Sequence, residues 1–361
     1  MKVLYIGHYK DGTGWANAAI NNILALDSVG VEVVPRAITF ETEPKSYPNR
    51  IQELEQASSE GCDICIQHTL PHLYSYDSNF KNIGFIASET NHFKDSSWQH
   101  YANLMDEIWV PSMHTRVACR MSNIKVPVNI APHSLDTSSY SKMLEGNKIQ
   151  ELVHTFNFAF VGEFIERKNV QALIRAFHTE FGVSEPVNLF IKTSQQSLGY
   201  VQNYCKQIKN GLKLRKRYKE EIVVCGYLSK EDYVSVLSQC HSFVMPSRGE
   251  AFCIPALEAM ALGIPVIYTK KTGMDDFCLG TAVKSIQVPC VGAISTLPNL
   301  CTANNKWAEI NVEELAIAMR KVYMQWQTEA SQKQRKASIK KAKSYSHQKV
   351  GAQLKELLND S

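Results

Sequence analysis

Short apolar runs alternate along the chain with longer segments in which apolar residues recur every three or four positions. "KVLYIGHY" (2–9) is rich in β-formers, and the polar "KDGTG" (10–14) separates it from a helical pattern. There Ala16, Ala19, Ile20 and Ile23 fall at i, i+3, i+4 and i+7, one face of a helix. "VEVVPRAI" (31–38), "CDICIQ" (62–67), "NIGFIAS" (82–88) and "EIWVPS" (107–112) continue the strand series, with polar or helical segments between them. After a polar stretch, "DTSSYSKMLEGNK" (136–148), the pattern restarts. "FNFAFVGEF" (156–164) reads as a strand, "ERKN" (166–169) as a turn, and Val170, Leu173, Ile174 and Phe177 as one helix face. "VNLFIKT", "EIVVCGY", "SFVMPS" and "PVIYTK" supply further strands. From residue 311, "NVEELAIAMRKVYMQW" opens with Asn311 and carries Glu314 three positions on, a helix-capping arrangement, and the rest of the C-terminus is helical in pattern.

Strands that alternate with helices predict parallel sheets covered on both faces. The 361 residues exceed one ordinary core and suit two domains. The polar stretch at 136–148 is the expected boundary. Ligands of open parallel sheets sit beyond the carboxyl ends of the strands, so two such domains face to face would hold a ligand in the cleft between them.

Composition narrows the class. Hydrophobic residues make up 44% and charged residues 20%, as in a soluble globular protein. No apolar run approaches the roughly 20 residues that span a bilayer, and the strand-like start does not resemble a leader, so a cytoplasmic location is expected. Ten cysteines lie scattered through strands and helices, which fits reduced thiols. Cys62 and Cys65 form a CxxC pair without a second pair and read as core residues. The formal charge is +4, and the basic runs 213–219 and 333–343 read first as solvated helix faces. They leave an anionic membrane surface or a nucleic acid open as partners.

The most informative stretch is "RGEAFCIPALEAMALGIPVI" (248–267), which sets two carboxylates in apolar surroundings. Glu is rarely buried without a partner. Pro255 suits the first turn of a helix, Gly263 its C-terminal cap, and Pro265 the exit. Glu250 then lies on the loop that leaves the strand "SFVMPS", and Glu258 one turn into the helix. The amides of Ala251, Phe252 and Cys253 lie near the helix start, where phosphate binds well. A phosphate there, flanked by carboxylates that accept paired hydroxyls, suggests a phosphorylated sugar or nucleotide. Glu258 could hold a ribose and Glu250 a hexose.

This stretch resembles the Glu-x7-Glu segment of the retaining GT-B glycosyltransferases of group 1, roughly S-x-x-E-G-F-G-x-x-x-L-E-A-M-A-x-G-x-P-V-I. Ser247, Glu250, Phe252, Leu257, Glu258, Ala259, Met260, Ala261, Gly263, Pro265, Val266 and Ile267 match it. "FVGEFIERKNVQALIRAF" is similar to the family's G-R-x-x-x-x-K-G segment, with Lys168 on the lysine that contacts the donor diphosphate. The family arginine is Glu163 here, and the adjacent Arg167 stands ready to compensate. "VVCGYLSKEDY" resembles the segment whose turn meets the nucleobase, which makes Gly226, Tyr227 and Leu228 base contacts. "TKKTGMDDF" loosely matches the next loop, and "APHSLD" stands where the family ends its first domain.

The resemblance implies a GT-B fold: an N-terminal Rossmann-like domain (1–140) on the acceptor side, a C-terminal one (150–320) on the nucleotide-sugar side, and final helices (321–361) that can pack back on the first. It implies a retaining transfer of a hexose from a UDP- or GDP-linked sugar to an acceptor hydroxyl of a glycan, lipid, protein or modified nucleic-acid base. No DxD motif is present, so no metal is expected. Lys168, Arg167 and the amides after Glu250 would stabilise the leaving diphosphate. In the first domain Gly12, Thr13 and Gly14 form a turn whose amides can approach a phosphate; the resemblance places the equivalent loop near the donor diphosphate or the acceptor, and the alternative is a plain tight turn. With Asn17 and Glu32 they also make an incomplete dinucleotide fingerprint lacking its third glycine. His68, and less directly His72, follow a strand and can face the cleft or serve the core; His133 reads as structural. Where many family members carry a histidine, at the end of "GFIASETN", this chain has Glu89 with Thr90 and Asn91. Glu250, Glu89 and His68 are thus the candidate catalytic residues. Alternatives are a GT-B epimerase or phosphorylase, a non-catalytic nucleotide-sugar-binding subunit, and an NAD-binding protein.

Overall fold

The structure is a computed structural model that describes residues 1–38, 46–143, 149–214, 217–290 and 299–359. Residues 144–148 of the polar stretch, and 215 and 216 of the first basic run, lie outside it. The first sheet comprises β1 (Lys2–Gly7), β2 (Glu32–Ala37), β3 (Ile64–His68), β4 (Lys81–Phe85), β5 (Glu107–Val110) and β6 (Val128–Ile130). All pairings are parallel, in the order β2-β1-β3-β4-β5-β6. The second comprises β7 (Phe156–Val161), β8 (Val187–Thr193), β9 (Ile222–Cys225), β10 (Ser242–Met245), β11 (Val266–Thr269) and β12 (Thr281–Val283). It is also parallel, ordered β12-β11-β10-β7-β8-β9. Counted from β7, that is the doubly wound nucleotide-binding order, with its reversal between β7 and β10. The first sheet reverses between β1 and β3. An antiparallel ribbon, β13 (Ser285–Pro289) with β14 (Lys306–Ile310), follows the second sheet.

Helices connect the strands: α1 (Gly14–Ser28), α2 (Asn49–Leu54), α3 (Trp98–Ala102) and α4 (Met113–Met121) in the first domain, then α5 (Val170–Glu180), α6 (Leu198–Gly211), α7 (Lys230–Ser238) and α8 (Ile254–Ala261) in the second. Three more close the chain, α9 (Val312–Gln325), α10 (Glu329–Lys343) and α11 (His347–Asn359). The expected cap of α9 is present: the Asn311 side chain accepts the Glu313 and Glu314 amides.

Each sheet is buried on both faces, which is why its strands are almost continuously apolar. Along β5 the pleat turns Trp109 into the cluster with Tyr5 and Phe85, while Ile108 and Val110 join Phe93 and Trp98. The second domain is centred on Phe158, Phe160, Phe190 and Phe243. Val170, Leu173, Ile174 and Phe177 of α5 are all buried there.

The final helix returns to the first domain. Val350, Leu354 and Leu358 of α11 join the cluster that holds Ala25 and Leu26 of α1. Gly351 permits the close approach, because a Cβ on it would lie 2.1 Å from the Ala25 carbonyl oxygen. The chain therefore passes between domains twice, and the passages touch: the Leu135 amide donates to the Tyr345 carbonyl at 2.8 Å. Leu135 also bridges Ser346 in parallel. Among the described residues no helix is long and apolar enough to cross a membrane.

Leu354 is fully buried in the α1–α11 contact. Leu354→Ala is expected to cost about 2–5 kcal/mol, read as a lower urea midpoint. An unchanged midpoint would mean that α11 adds nothing to the first domain.

Candidate active site

The loop after β10 begins the site. The Ser247 hydroxyl lies 3.1 Å from the Arg167 carbonyl and 2.9 Å from that of Gly249, which ties this loop to the turn after β7. The Glu250 carbonyl accepts the Gly273 amide at 2.7 Å. Cys253 turns into α8 with φ +83°, a left-handed conformation, and Pro255 occupies the first turn. Gly263 leaves the helix at φ +71°. Among the described residues the amides of Ala251, Phe252 and Cys253 donate to no protein acceptor. They lie at the carboxyl edge of the second sheet, where its strand order reverses.

Two cations converge on the same point. Lys168 and Arg167 stand on the single 3-10 turn Glu166–Lys168 that follows β7. Lys168 Nζ lies 2.7 Å from Glu250 Oε1, and Arg167 Nη1 lies 3.3 Å from the same oxygen. Arg167 also donates to the Gly249 carbonyl at 2.7 Å. Glu250 is only 5% exposed. Burial pushes its carboxyl up, but the Lys168 and Arg167 charges outweigh that and hold it below the usual range. Burial likewise works against the Arg167 charge, and Glu89 and Glu250 more than offset it.

The same guanidinium reaches across to the first domain, with Arg167 Nη2 2.9 Å from Glu89 Oε1. The backbones meet here too: a Cβ on Gly249 would lie 2.0 Å from the Glu89 carbonyl oxygen. Further contacts line this seam. The Asn91 amide donates to the Lys306 carbonyl at 3.0 Å, the Lys306 amide to Asn91 Oδ1 at 2.6 Å, and the Met113 amide to Asp276 Oδ2 at 2.6 Å. Arg248, flanked by Glu309 and Glu166, stacks over Trp307 and fastens the β13–β14 ribbon to the loop.

Glu258, also 5% exposed, is held by three donors. Its Oε1 accepts from Tyr140 at 3.1 Å and from Lys230; its Oε2 accepts from Tyr233 at 2.7 Å. Tyr140, Lys230 and Tyr233 were not singled out from sequence, although Ser229 caps α7 and so sets Lys230 and Tyr233 at i, i+3 on one face. The turn Gly226–Leu228 leads directly into that helix. Gly226 is buried with φ +81°, and Tyr227 projects into solvent.

The first-domain candidates divide. Gly12, Thr13 and Gly14 form an exposed turn in which Asp11 Oδ1 accepts both the Thr13 amide (2.9 Å) and its hydroxyl (2.6 Å). Thr13 in turn caps α1. The Thr13 groups are committed locally, and a carboxylate stands where a phosphate would otherwise be drawn. His68 is enclosed among Tyr5, Trp15, Phe85 and His133, with Nδ1 2.7 Å from the Tyr5 hydroxyl. Burial holds it neutral, its pKa well below the ordinary value, so in this conformation its ring packs rather than faces an open cleft. His133 continues that stack and touches the edge of Phe252 across the domain boundary. Glu163 is exposed at the end of β7 and takes the Ser194 hydroxyl at 3.3 Å. Cys62 and Cys65 are free and buried.

Two Rossmann-like domains set face to face form the GT-B architecture. Within it, residues 147–278 match the family described as glycosyl transferases group 1. A putative glycosyltransferase of a Sulfolobus islandicus filamentous virus is 25% identical over 202 residues, 55% of this chain and 51% of that protein. The alignment thus spans about half of that relative. Solved structures share the whole fold. The Anabaena protein Alr3699/HepE, solved with UDP, superposes with a TM-score of 0.69 at 13% identity over 100% of both chains. The sucrose-phosphate synthase of Thermosynechococcus elongatus gives 0.66 at 14% identity over 100% of this chain and 98% of that one.

Gly249→Ala would press a methyl group against the Glu89 carbonyl. Such overpacking is expected to cost about 1–3 kcal/mol and to spread the domains. Thermal unfolding and the radius of gyration from solution scattering read both effects. No change in either would mean that the seam is open in solution.

Proposed function

We propose that the chain is a retaining glycosyltransferase that moves a hexose from a nucleoside diphosphate sugar to an acceptor hydroxyl. The observation that carries this reading is the convergence of Lys168, Arg167 and the free amides of residues 251–253 around Glu250. In the ligand-free chain Glu250 and Glu89 together balance the two cations. A diphosphate brings more negative charge to that point and takes over the cations and the amides, as anions do at a helix N-terminus. Glu250, released from its ion pairs, then accepts hydroxyls of the transferred sugar. Arg167 thus supplies the second cation that Glu163 does not. As the sugar–phosphate bond breaks, charge grows on the diphosphate, where the fixed cations and dipoles are aimed.

Glu258 is the ribose ligand in this reading. Its Oε2 accepts one hydrogen bond and retains a lone pair, and the exposed Lys230 can yield Oε1. The turn Gly226–Leu228, next to α7, receives the base. The first domain takes the acceptor, with Glu89 at the rim orienting its hydroxyl or countering positive charge on the sugar. The complexes of Alr3699/HepE with UDP and with UDP-glucose support a nucleotide-sugar ligand for this fold. A non-catalytic nucleotide-sugar-binding role draws on Glu163 in the arginine position and on the enclosed His68; slow donor hydrolysis by the isolated protein would argue against it.

A thermal-shift screen of UDP-, GDP- and ADP-linked sugars tests the reading, because a specific donor raises the melting temperature by linkage. Stabilisation by none of them would sink it. Glu250→Ala is expected to lose most of the turnover rate yet keep its affinity for the bare nucleoside diphosphate. Glu258→Ala should instead weaken that affinity by about 1.5–3 kcal/mol, the worth of a charge-assisted hydrogen bond. Titration calorimetry with steady-state rates separates the two, and equal affinity losses would mean that the carboxylates act as one structural unit. Activity is also expected to survive EDTA. Loss on chelation and recovery with Mg²⁺ or Mn²⁺ would replace the cation-and-amide account and direct attention to Asp275 and Asp276.

A further inference from the structure

The outer face of α4 is unlike a solvated helix. Thr115, Ala118 and Cys119 face inward, while Met113, Val117 and Met121 form an exposed row at i, i+4 and i+8. Arg116 and Arg120, also exposed, run beside that row, and α4 contains no carboxylate. Neither arginine has an ion-pair partner among the described residues.

We propose that the Met113–Val117–Met121 row, with Arg116 and Arg120, is a docking surface for an anionic phospholipid bilayer. An apolar row flanked by arginines matches an interfacial helix, whose side chains enter the acyl boundary while its cations meet lipid phosphates. A nucleic-acid backbone would satisfy the cations but leave the methionines and the valine in water. A two-fold contact between copies of this chain through α4 would bring Arg116 and Arg120 against their own counterparts with no carboxylate on the helix to offset them. The lipid surface complements both charge and apolarity. Because α4 begins at the interdomain seam, docking also sets the cleft rim beside the bilayer.

Co-sedimentation with phosphatidylcholine vesicles, with and without phosphatidylglycerol, tests the proposal on the full chain. Binding is expected only with phosphatidylglycerol present and should weaken as salt rises. Arg116→Gln with Arg120→Gln should lower partitioning on the order of tenfold. Val117→Ser with Met121→Ser should lower it at unchanged charge. All these positions are exposed, so melting temperatures should stay at the wild-type value. Failure of the wild-type chain to bind anionic vesicles would overturn the proposal, as would equal binding to neutral ones. So would undiminished binding by the Val117/Met121 variant, tighter binding to a DNA or RNA oligonucleotide than to vesicles at equal salt, or a dimer in solution that these substitutions dissolve.

Discussion

A buried carboxylate between two cations organises this molecule. Glu250 lies in surroundings that would neutralise an isolated carboxyl, and the charges of Lys168 and Arg167 keep it ionised. That requirement joins two loops distant in sequence, the turn after β7 and the loop after β10. These loops flank the reversal of strand order, so the ion pairs close the crevice that the doubly wound topology opens. Removing one partner would leave a buried charge uncompensated, a larger loss than the pair's own net worth. The site thus holds its two cations in place.

Arg167 extends this local arrangement to the whole molecule. Its contact with Glu89 and the lack of a side chain on Gly249 bring the domains together at the loop that carries Glu250. The ribbon acts at the same seam: Lys306 pairs with Asn91 while Arg248 anchors Glu309. The bracing of the second domain and the meeting of the two domains are therefore one set of contacts.

Much of the architecture was legible in the sequence because the parallel strands are short, apolar and separated by helices with clear periodicity. Strands β6 and β12, three residues each, give too little pattern to stand out. The ribbon escaped because its partners are separated by residues 290–305 and "SIQVP" and "KWAEI" do not alternate cleanly. Glu250 and Glu258 were legible through spacing, Pro255 and Gly263, which dictate loop and helix directly. What holds them was only partly so. Lys168 and Arg167 follow a strand in a recognisable turn, whereas Tyr140 reaches Glu258 from the interdomain segment, 118 positions earlier in the chain. His68 shows the converse: a histidine after a strand has the same pattern whether it faces a ligand or stacks on Phe85.

The two interdomain passages carry a mechanical consequence. Leu135 and Tyr345–Ser346 lie side by side and are hydrogen-bonded to each other. Two strands of chain fastened at one place act as an axle: the domains can swivel about it, but they cannot slide apart without breaking it. A swivel about it would part Glu89–Arg167 and Asn91–Lys306 and leave Leu135 beside Ser346.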